Sequence, residues 1–348
     1  MENLATAFSA NWLGMPVWVW FGFLTIVLVI MAIDLGLFHK DAHEPGIRES
    51  MVLAGACIAM GFAFSAVVWW LYYKGYAASL DKAITSAQTP GLRAWTAWEL
   101  YLTGWVIEQT LAFDNVFVMA MIFTYFGIPA KYQHRVLFYG ILGVIVLRAI
   151  MIGLGAALVH KFEWILYFFS AFLVFTGVKM FIMAEQKPDL ENNPLLKWMR
   201  GHMRITKELH GQNFFVVLKD GKTGKAVRWA TPLFLALVLI EFADLIFAVD
   251  SIPAIFSITQ DPFIVYTSNI FAILGLRALY FVLSSMVDRF HYLKYALALV
   301  LIYVGGKIFL QQFVGKIPPE VSLAVTVLIL AGGILYSLWA TQKTKQGA

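Results

Sequence analysis

Runs of about twenty apolar residues recur along almost the whole chain, beginning with VWVWFGFLTIVLVIMAI at residues 17–33. A helix of that length matches the hydrocarbon thickness of a bilayer. Because these runs are continuous, they do not fit a transmembrane barrel, whose short strands alternate apolar and polar residues. Lipid leaves no partner for an unpaired backbone group, so a continuous apolar span must close its own hydrogen bonds as a helix. Composition agrees: 14% of the residues are charged, against about 25% in soluble domains. The expected fold class is an all-α polytopic membrane protein.

Hydropathy places nine spans near residues 16–38, 51–73, 100–126, 135–158, 163–183, 231–259, 263–286, 290–313 and 320–340. The third and sixth exceed the roughly 20 residues needed to cross. Orientation follows from Lys and Arg in the loops. With the N-terminus outside, 17 of these residues fall on the cytoplasmic side and five (Lys74, Lys82, Arg93, Lys161 and Lys316) on the outer side. That asymmetry predicts N-terminus out and C-terminus in. The first sixteen residues hold no Lys or Arg, so they do not read as a cleavable signal peptide. Cys57 is the single cysteine, which rules out an intramolecular disulfide and a thiolate cluster. Nucleic acid is not an expected partner, since the basic residues concentrate in one loop between spans. Membrane lipids are. Sequence assigns no oligomeric state.

The expected organisation is a two-span segment at 1–99, a first transmembrane repeat at 100–183, a cytoplasmic connector at 184–229, a second repeat at 230–313, and a last span with its tail at 314–348. Within the connector, NPLLKWMRGHMRITKELH has the character of a basic amphipathic helix, and NFFVVLKDGKTGKAVRW that of a β-hairpin turning at Asp220-Gly221.

The repeat rests on landmarks in one order. Glu108 and Asp114 are six residues apart, as are Asp244 and Asp250; Asn115 then matches Ser251. LRAIMI and LRALYF align Arg148 with Arg277, and FTGVKMF and YVGGKIF align Gly177 with Gly305 and Lys179 with Lys307. The third to fifth spans thus correspond to the sixth to eighth. The third and sixth run in opposite directions, so the repeat is inverted. Inverted repeats build many secondary transporters, with the substrate site near the midplane.

Charge inside the spans sharpens this. Six acids (Asp34, Glu108, Asp114, Glu241, Asp244, Asp250) and four bases (Arg148, Lys179, Arg277, Lys307) lie there. Unpaired, ten charges cost roughly 25–35 kcal/mol on insertion scales. They must be paired, protonated, hydrated or bound to an ion. Arg148 and Arg277 lie deep enough for charge pairing or gating, whereas Lys179 and Lys307 lie toward span ends, where snorkelling is open to them. The acids, with Asn115 and Ser251 as additional ligands, offer only oxygen, which suits Mg²⁺, Ca²⁺ or Mn²⁺. Glu241 and Asp244, at i and i+3, share a helix face. Asp244 and Asp250 point about 120° apart on a regular helix, and Pro253 is expected to break the helix near Val249 and turn Asp250 toward the site.

EQTLAFDNVFV (108–118), EFADLIFAVDSIPAIF (241–256) and SNIFAILGLRALYF (268–281) resemble the TerC family of integral membrane proteins, and FTGVKM, WMRGHMR and WATPL resemble its Alx-type branch. The likeness spans nearly the whole chain. It implies a manganese exporter of the bacterial inner (cell) membrane, with Glu108, Asp114, Glu241, Asp244 and Asp250 as metal ligands. Mn²⁺ is then the transported ion, and no cofactor is expected. Nor is an enzyme: the Tyr-Asp and Gly-x-Gly-Asp pair of intramembrane aspartyl proteases is missing, since Asp114 follows Phe113 and Asp250 follows Val249. The non-enzymatic alternative is an assembly factor or scaffold acting through the 184–229 loop.

Overall fold

A computed structural model of the protein describes residues 10–33, 47–79, 81–162, 164–183, 190–191, 193–219, 226–284, 293–315, 317 and 319–346. A two-residue hairpin, β1 (Asn11–Trp12) and β2 (Met15–Pro16), leads into α1 (Val17–Ile33). Then follow α2 (Ile47–Tyr73), the short α3 (Lys82–Thr85), α4 (Pro90–Tyr125), α5 (Ala130–Lys161) and α6 (Ile165–Ile182). The connector contributes α7 (Pro194–His202), β3 (Phe215–Lys219) and β4 (Ala226–Ala230). The chain ends with α8 (Pro232–Phe256), α9 (Pro262–Ser284), α10 (Leu293–Val314) and α11 (Pro319–Gln346).

The protein is an all-α multi-pass membrane protein. Among the described residues, α2, α5, α6, α8, α9 and α10 are long and apolar enough to cross a bilayer, and α1 and α11 carry shorter apolar stretches. α4 is the longest, with 36 residues, about 54 Å at 1.5 Å per residue. It exceeds the hydrocarbon thickness and starts ten residues before the expected span. Its start is set locally: Thr89 accepts from the Leu92 N–H and Pro90 opens the first turn. Gly127, at φ 61°, supplies the left-handed residue just beyond its end.

Most of the spanning helices show lipid one face and the bundle another. On α5, Val146, Ile150 and Leu154 are exposed apolar residues four apart, while Val144, Arg148, Ile152 and Ala156 are buried on the other side. Leu and Val facing outward cost nothing in lipid, so a fold of this kind sorts its polar residues inward. α9 is buried almost throughout; it runs through the middle of the bundle against α2, α4 and α5.

The helices of the two halves interleave: α5 packs on α8, α9 packs on α4, and α6 packs on α10. At this last crossing two glycines remove the side chains between the backbones. A Cβ on Gly177 would lie 2.8 Å from the Ala298 carbonyl oxygen and 2.8 Å from Ile302, and one on Gly305 would lie 2.7 Å from the Ser170 carbonyl oxygen and 3.1 Å from Val174. The glycines (177, 305) and their neighbours (170, 298 and 174, 302) all stand 128 residues apart. The crossing is self-complementary.

The connector is docked rather than a free tether. Leu196 and Met199 of α7 are buried in one cluster with Ile122, Phe123 and Leu233. The helix is capped by Asn193, which accepts from the N–H groups of Leu195 and Leu196. β3 and β4 pair antiparallel, Phe215 opposite Ala230, as the hairpin reading expects; its Asp220-Gly221 turn lies outside the described residues. The Thr231 hydroxyl donates to the Asn213 carbonyl at 2.7 Å, tying the connector to the first residue before α8.

Two expectations are corrected. α8 continues unbroken from Pro232 to Phe256 with Pro253 inside it. Pro253 lies in the last turn, so its missing N–H forfeits one bond near an end that already frays. Nor does Lys307 snorkel: it is buried, because α11 covers that face of α10. Lys179, its counterpart in the first half, is exposed.

Candidate ion site

Three inward stripes meet at the centre of the bundle. On α4 the stripe runs through Tyr101, Trp105, Glu108, Asn115, Met119 and Ile122, all buried and spaced by threes, fours and sevens, as one helix face requires. On α8 it runs through Asp244, Ala248, Ser251 and Ile255. On α5 it carries Arg148, which is 1% exposed. Helical periodicity therefore aims one acid from each half at a single arginine.

Arg148 is the hub. Its Nη1 pairs with Glu108 Oε1 and donates to Ser251 Oγ at 3.2 Å. Its Nε donates to Asp244 Oδ2 at 3.3 Å and its Nη2 to Asp244 Oδ1 at 3.2 Å, a forked geometry that lysine cannot supply. Asn115 Nδ2 donates to the same Asp244 Oδ1 at 3.3 Å. Glu108, Asp244, Asn115 and Ser251, which the repeat aligns in two pairs, are thus held in one network around Arg148.

Acceptor capacity is left over. Among the described residues, Glu108 Oε2, Gln109 Oε1, Asn115 Oδ1 and Glu241 Oε2 are buried without a hydrogen-bond partner, as are both polar atoms of Asn269. Native interiors leave few such atoms, and each calls for an explanation. Glu241 sits one turn before Asp244 on α8, against glycines of α5. A Cβ on Gly143 would fall 2.6 Å from the Glu241 Cδ and Oε2, and one on Gly140 would fall 3.7 Å from Oε1. The glycines make the recess that the Glu241 carboxylate fills.

The structure brings together Glu108, Asn115, Arg148, Asp244 and Ser251, with Glu241 beside them on α8. Asp114, Asp250 and Arg277 lie on α4, α8 and α9 with side chains outside the described residues, and Asp34 lies outside them altogether. No group of three His, Cys, Asp or Glu side chains among the described residues is arranged to hold a metal ion. Arg148 stands between Glu108 and Asp244, paired with both.

One polar cluster has no counterpart among the expected site residues. Asp81 and Asp261 are both buried at the end of the bundle that holds the α8–α9 turn. Asp261 Oδ1 accepts from the N–H groups of Phe263 and Ile264, capping α9, while its Oδ2 accepts from Ser79 Oγ at 2.5 Å. Asp81 Oδ1 accepts from the Ala83 N–H, capping α3, while its Oδ2 accepts from Thr259 Oγ1 and the Gln260 N–H. Each aspartate caps its own helix and binds the loop of the other. Burial pushes the Asp261 carboxyl above the usual carboxylate range. Asp-Pro at 261–262 is a helix-start signature visible in the sequence; the pairing of the two caps is not, because 180 residues separate them.

Comparison with known proteins agrees with this architecture. Residues 93–345 match the Integral membrane protein TerC family. Over 334 residues the chain is 43% identical to the "Putative membrane-bound redox modulator Alx" of Shigella flexneri and of Escherichia coli (strain K12), covering 96% of this chain and 98% of each relative. It is 42% identical over 320 residues to the "Uncharacterized membrane protein STKORF319" of Myxococcus xanthus, covering 92% of both. No solved structure matches it. The chain belongs to the TerC family of integral membrane proteins.

Proposed function

We propose that this protein exports a divalent metal cation, Mn²⁺, across the inner membrane by alternating access, with N-terminus out and C-terminus in. The observation that carries the reading is the convergence of Glu108 and Asp244, one acid from each half, on Arg148, with carboxylate and amide oxygens left unpartnered around them. Packing alone has no use for buried acids with spare acceptors, whereas an oxygen-only site for a hard cation does. The self-complementary crossing of α6 and α10 supports two halves that rock against each other.

In this reading Arg148 is a tethered counter-charge. It holds the two acids while no ion is bound and yields to the ion when one enters from the cytoplasm. Glu108, Asp114, Glu241, Asp244 and Asp250 supply the negative charge, and Asn115 and Ser251 add neutral oxygen. Arg277, the aligned arginine of the second half, is the further charge-pairing or gating group. Proton return restores the cycle.

The Alx relatives are named for redox modulation; in this chain one thiol, Cys57, is present, and it is buried with its Sγ 3.8 Å from the Leu274 carbonyl. The scaffold alternative draws less support from a connector that is packed against the bundle.

The test is Mn²⁺ flux into proteoliposomes carrying a Mn²⁺-quenched dye. Glu108→Gln and Asp244→Asn are each expected to reduce flux at least tenfold while the protein still elutes as a folded species. Wild-type flux in both variants would remove these residues from the ion path.

A further inference from the structure

Lys307 is a buried cation that the carboxylate site does not use. It is 6% exposed, and its Nζ donates to Ser322 Oγ of α11 at 3.1 Å. No carboxylate among the described residues ion-pairs with it, in contrast to Arg148, which holds two. Lys179, at the aligned position of FTGVKMF, is exposed. The same motif lysine is therefore exposed in one half and enclosed in the other.

Among the described residues its polar contact is the Ser322 hydroxyl. Thr326, one turn further along α11, is buried as well, and its Oγ1 donates to the Ser322 carbonyl at 2.9 Å. On the elements packed against α10, the titratable groups flanking the contact are Tyr167 of α6, whose ring lies 6.4 Å from Phe309, and Glu99 and Glu108 of α4 on either side of Val106 and Ile107. Asp250 precedes the Ala254 contact of α8 by one turn, Tyr303 lies one turn earlier on α10, and Glu320 precedes Ser322 with a side chain outside the described residues.

An enclosed ammonium with one hydroxyl beside it and no carboxylate among the described residues is an uncompensated charge. A hydroxyl serves both forms of the amine, accepting from the ammonium and donating to the free lone pair. Lysine, unlike arginine, can give up its proton. We infer that Lys307 is the proton-carrying site of the transport cycle, a neutral amine on Ser322 when α10 and α11 are closed and an ammonium when that face opens to water. This rests on the transport reading above. The proton leaves Nζ for water on one side of the membrane and is regained from water on the other, so nothing else is consumed.

Two measurements test it on the full-length protein. Competitive labelling of the wild type in detergent with a small amine reagent, read by mass spectrometry across a pH series, gives a protonation midpoint for each lysine. Lys307 is expected at least one pH unit below exposed Lys179; a shared midpoint would overturn the inference. In proteoliposomes, Lys307→Gln and Lys307→Arg are both expected to lose at least tenfold of the Mn²⁺-dependent proton flux reported by an internal pH dye. Rescue by Lys307→Arg would show a structural cation and also overturn it. If the wild type moves no Mn²⁺ yet Lys307 keeps a displaced midpoint, the transport reading falls while the proton-exchanging site stands.

Discussion

Arg148 grips Asp244 through both carboxylate oxygens, Nε on Oδ2 at 3.3 Å and Nη2 on Oδ1 at 3.2 Å, joining a helix of the first half to a helix of the second inside the bundle. Breaking such a pair from one side leaves an uncompensated buried charge, at about 3–5 kcal/mol. Arg148→Gln is expected to lower the thermal unfolding temperature of the detergent-solubilised protein sharply. The double variant Arg148→Gln/Asp244→Asn should recover part of that loss, because Asp244 is then no longer stranded and Glu108 alone loses its partner. A double variant no more stable than the single one would mean that the pair does not act as a unit.

Gly143 sets the room for Glu241. A methyl group there would stand 2.6 Å from the carboxylate, so Gly143→Ala must push Glu241 out of its recess. Flux is expected to fall at least tenfold, with little loss of stability. Gly153→Ala, on the same helix with nothing within 4 Å of the added carbon, should leave flux and melting unchanged. Equal effects from the two substitutions would refute the steric account.

At the α6–α10 crossing the obstacle is backbone. The Ala298 and Ser170 carbonyls lie 2.8 and 2.7 Å from the added carbons on Gly177 and Gly305, and a carbonyl in a helix cannot rotate away. Gly177→Leu and Gly305→Leu should each cost upwards of about 1–3 kcal/mol as overpacking, seen as aggregation or a lowered melting temperature. Normal melting in either variant would show that the two helices separate at no cost.

Asp261 gives stability a pH dependence whose sign follows from its burial. Its carboxyl is pushed up in the folded protein, so between the ordinary carboxylate value of about 4 and the raised value the folded state binds more protons than the unfolded chain. Stability contributed through this group therefore falls as pH rises across that window. Asp261→Asn keeps a carbonyl oxygen for the Phe263 and Ile264 N–H groups while removing the titration. Melting curves from pH 4 upward should be flatter for the variant than for the parent; parallel curves would assign the dependence elsewhere.

The helices and the chemistry of the site were written locally. Apolar run length is a property of consecutive residues, and the positions of Glu108, Asn115, Asp244 and Ser251 on inward faces follow from helical spacing alone. The β3–β4 register and the caps at Thr89 and Asn193 depend on a few neighbouring residues and could be anticipated in the same way.

Contacts between distant segments could not. That Arg148 takes Glu108 and Asp244 together, that Gly143 hollows a place for Glu241, and that Asp81 and Asp261 each bind the other's loop depend on which helix faces meet. So does the fate of the matched lysines: identical in motif, Lys179 and Lys307 differ because α11 covers one side of α10 while, among the described residues, Lys179 stays exposed. Apolar periodicity says which face turns away from lipid. Only packing decides what that face touches, because burial is a property of the assembled bundle and the cost of a charge depends on the partner it finds there.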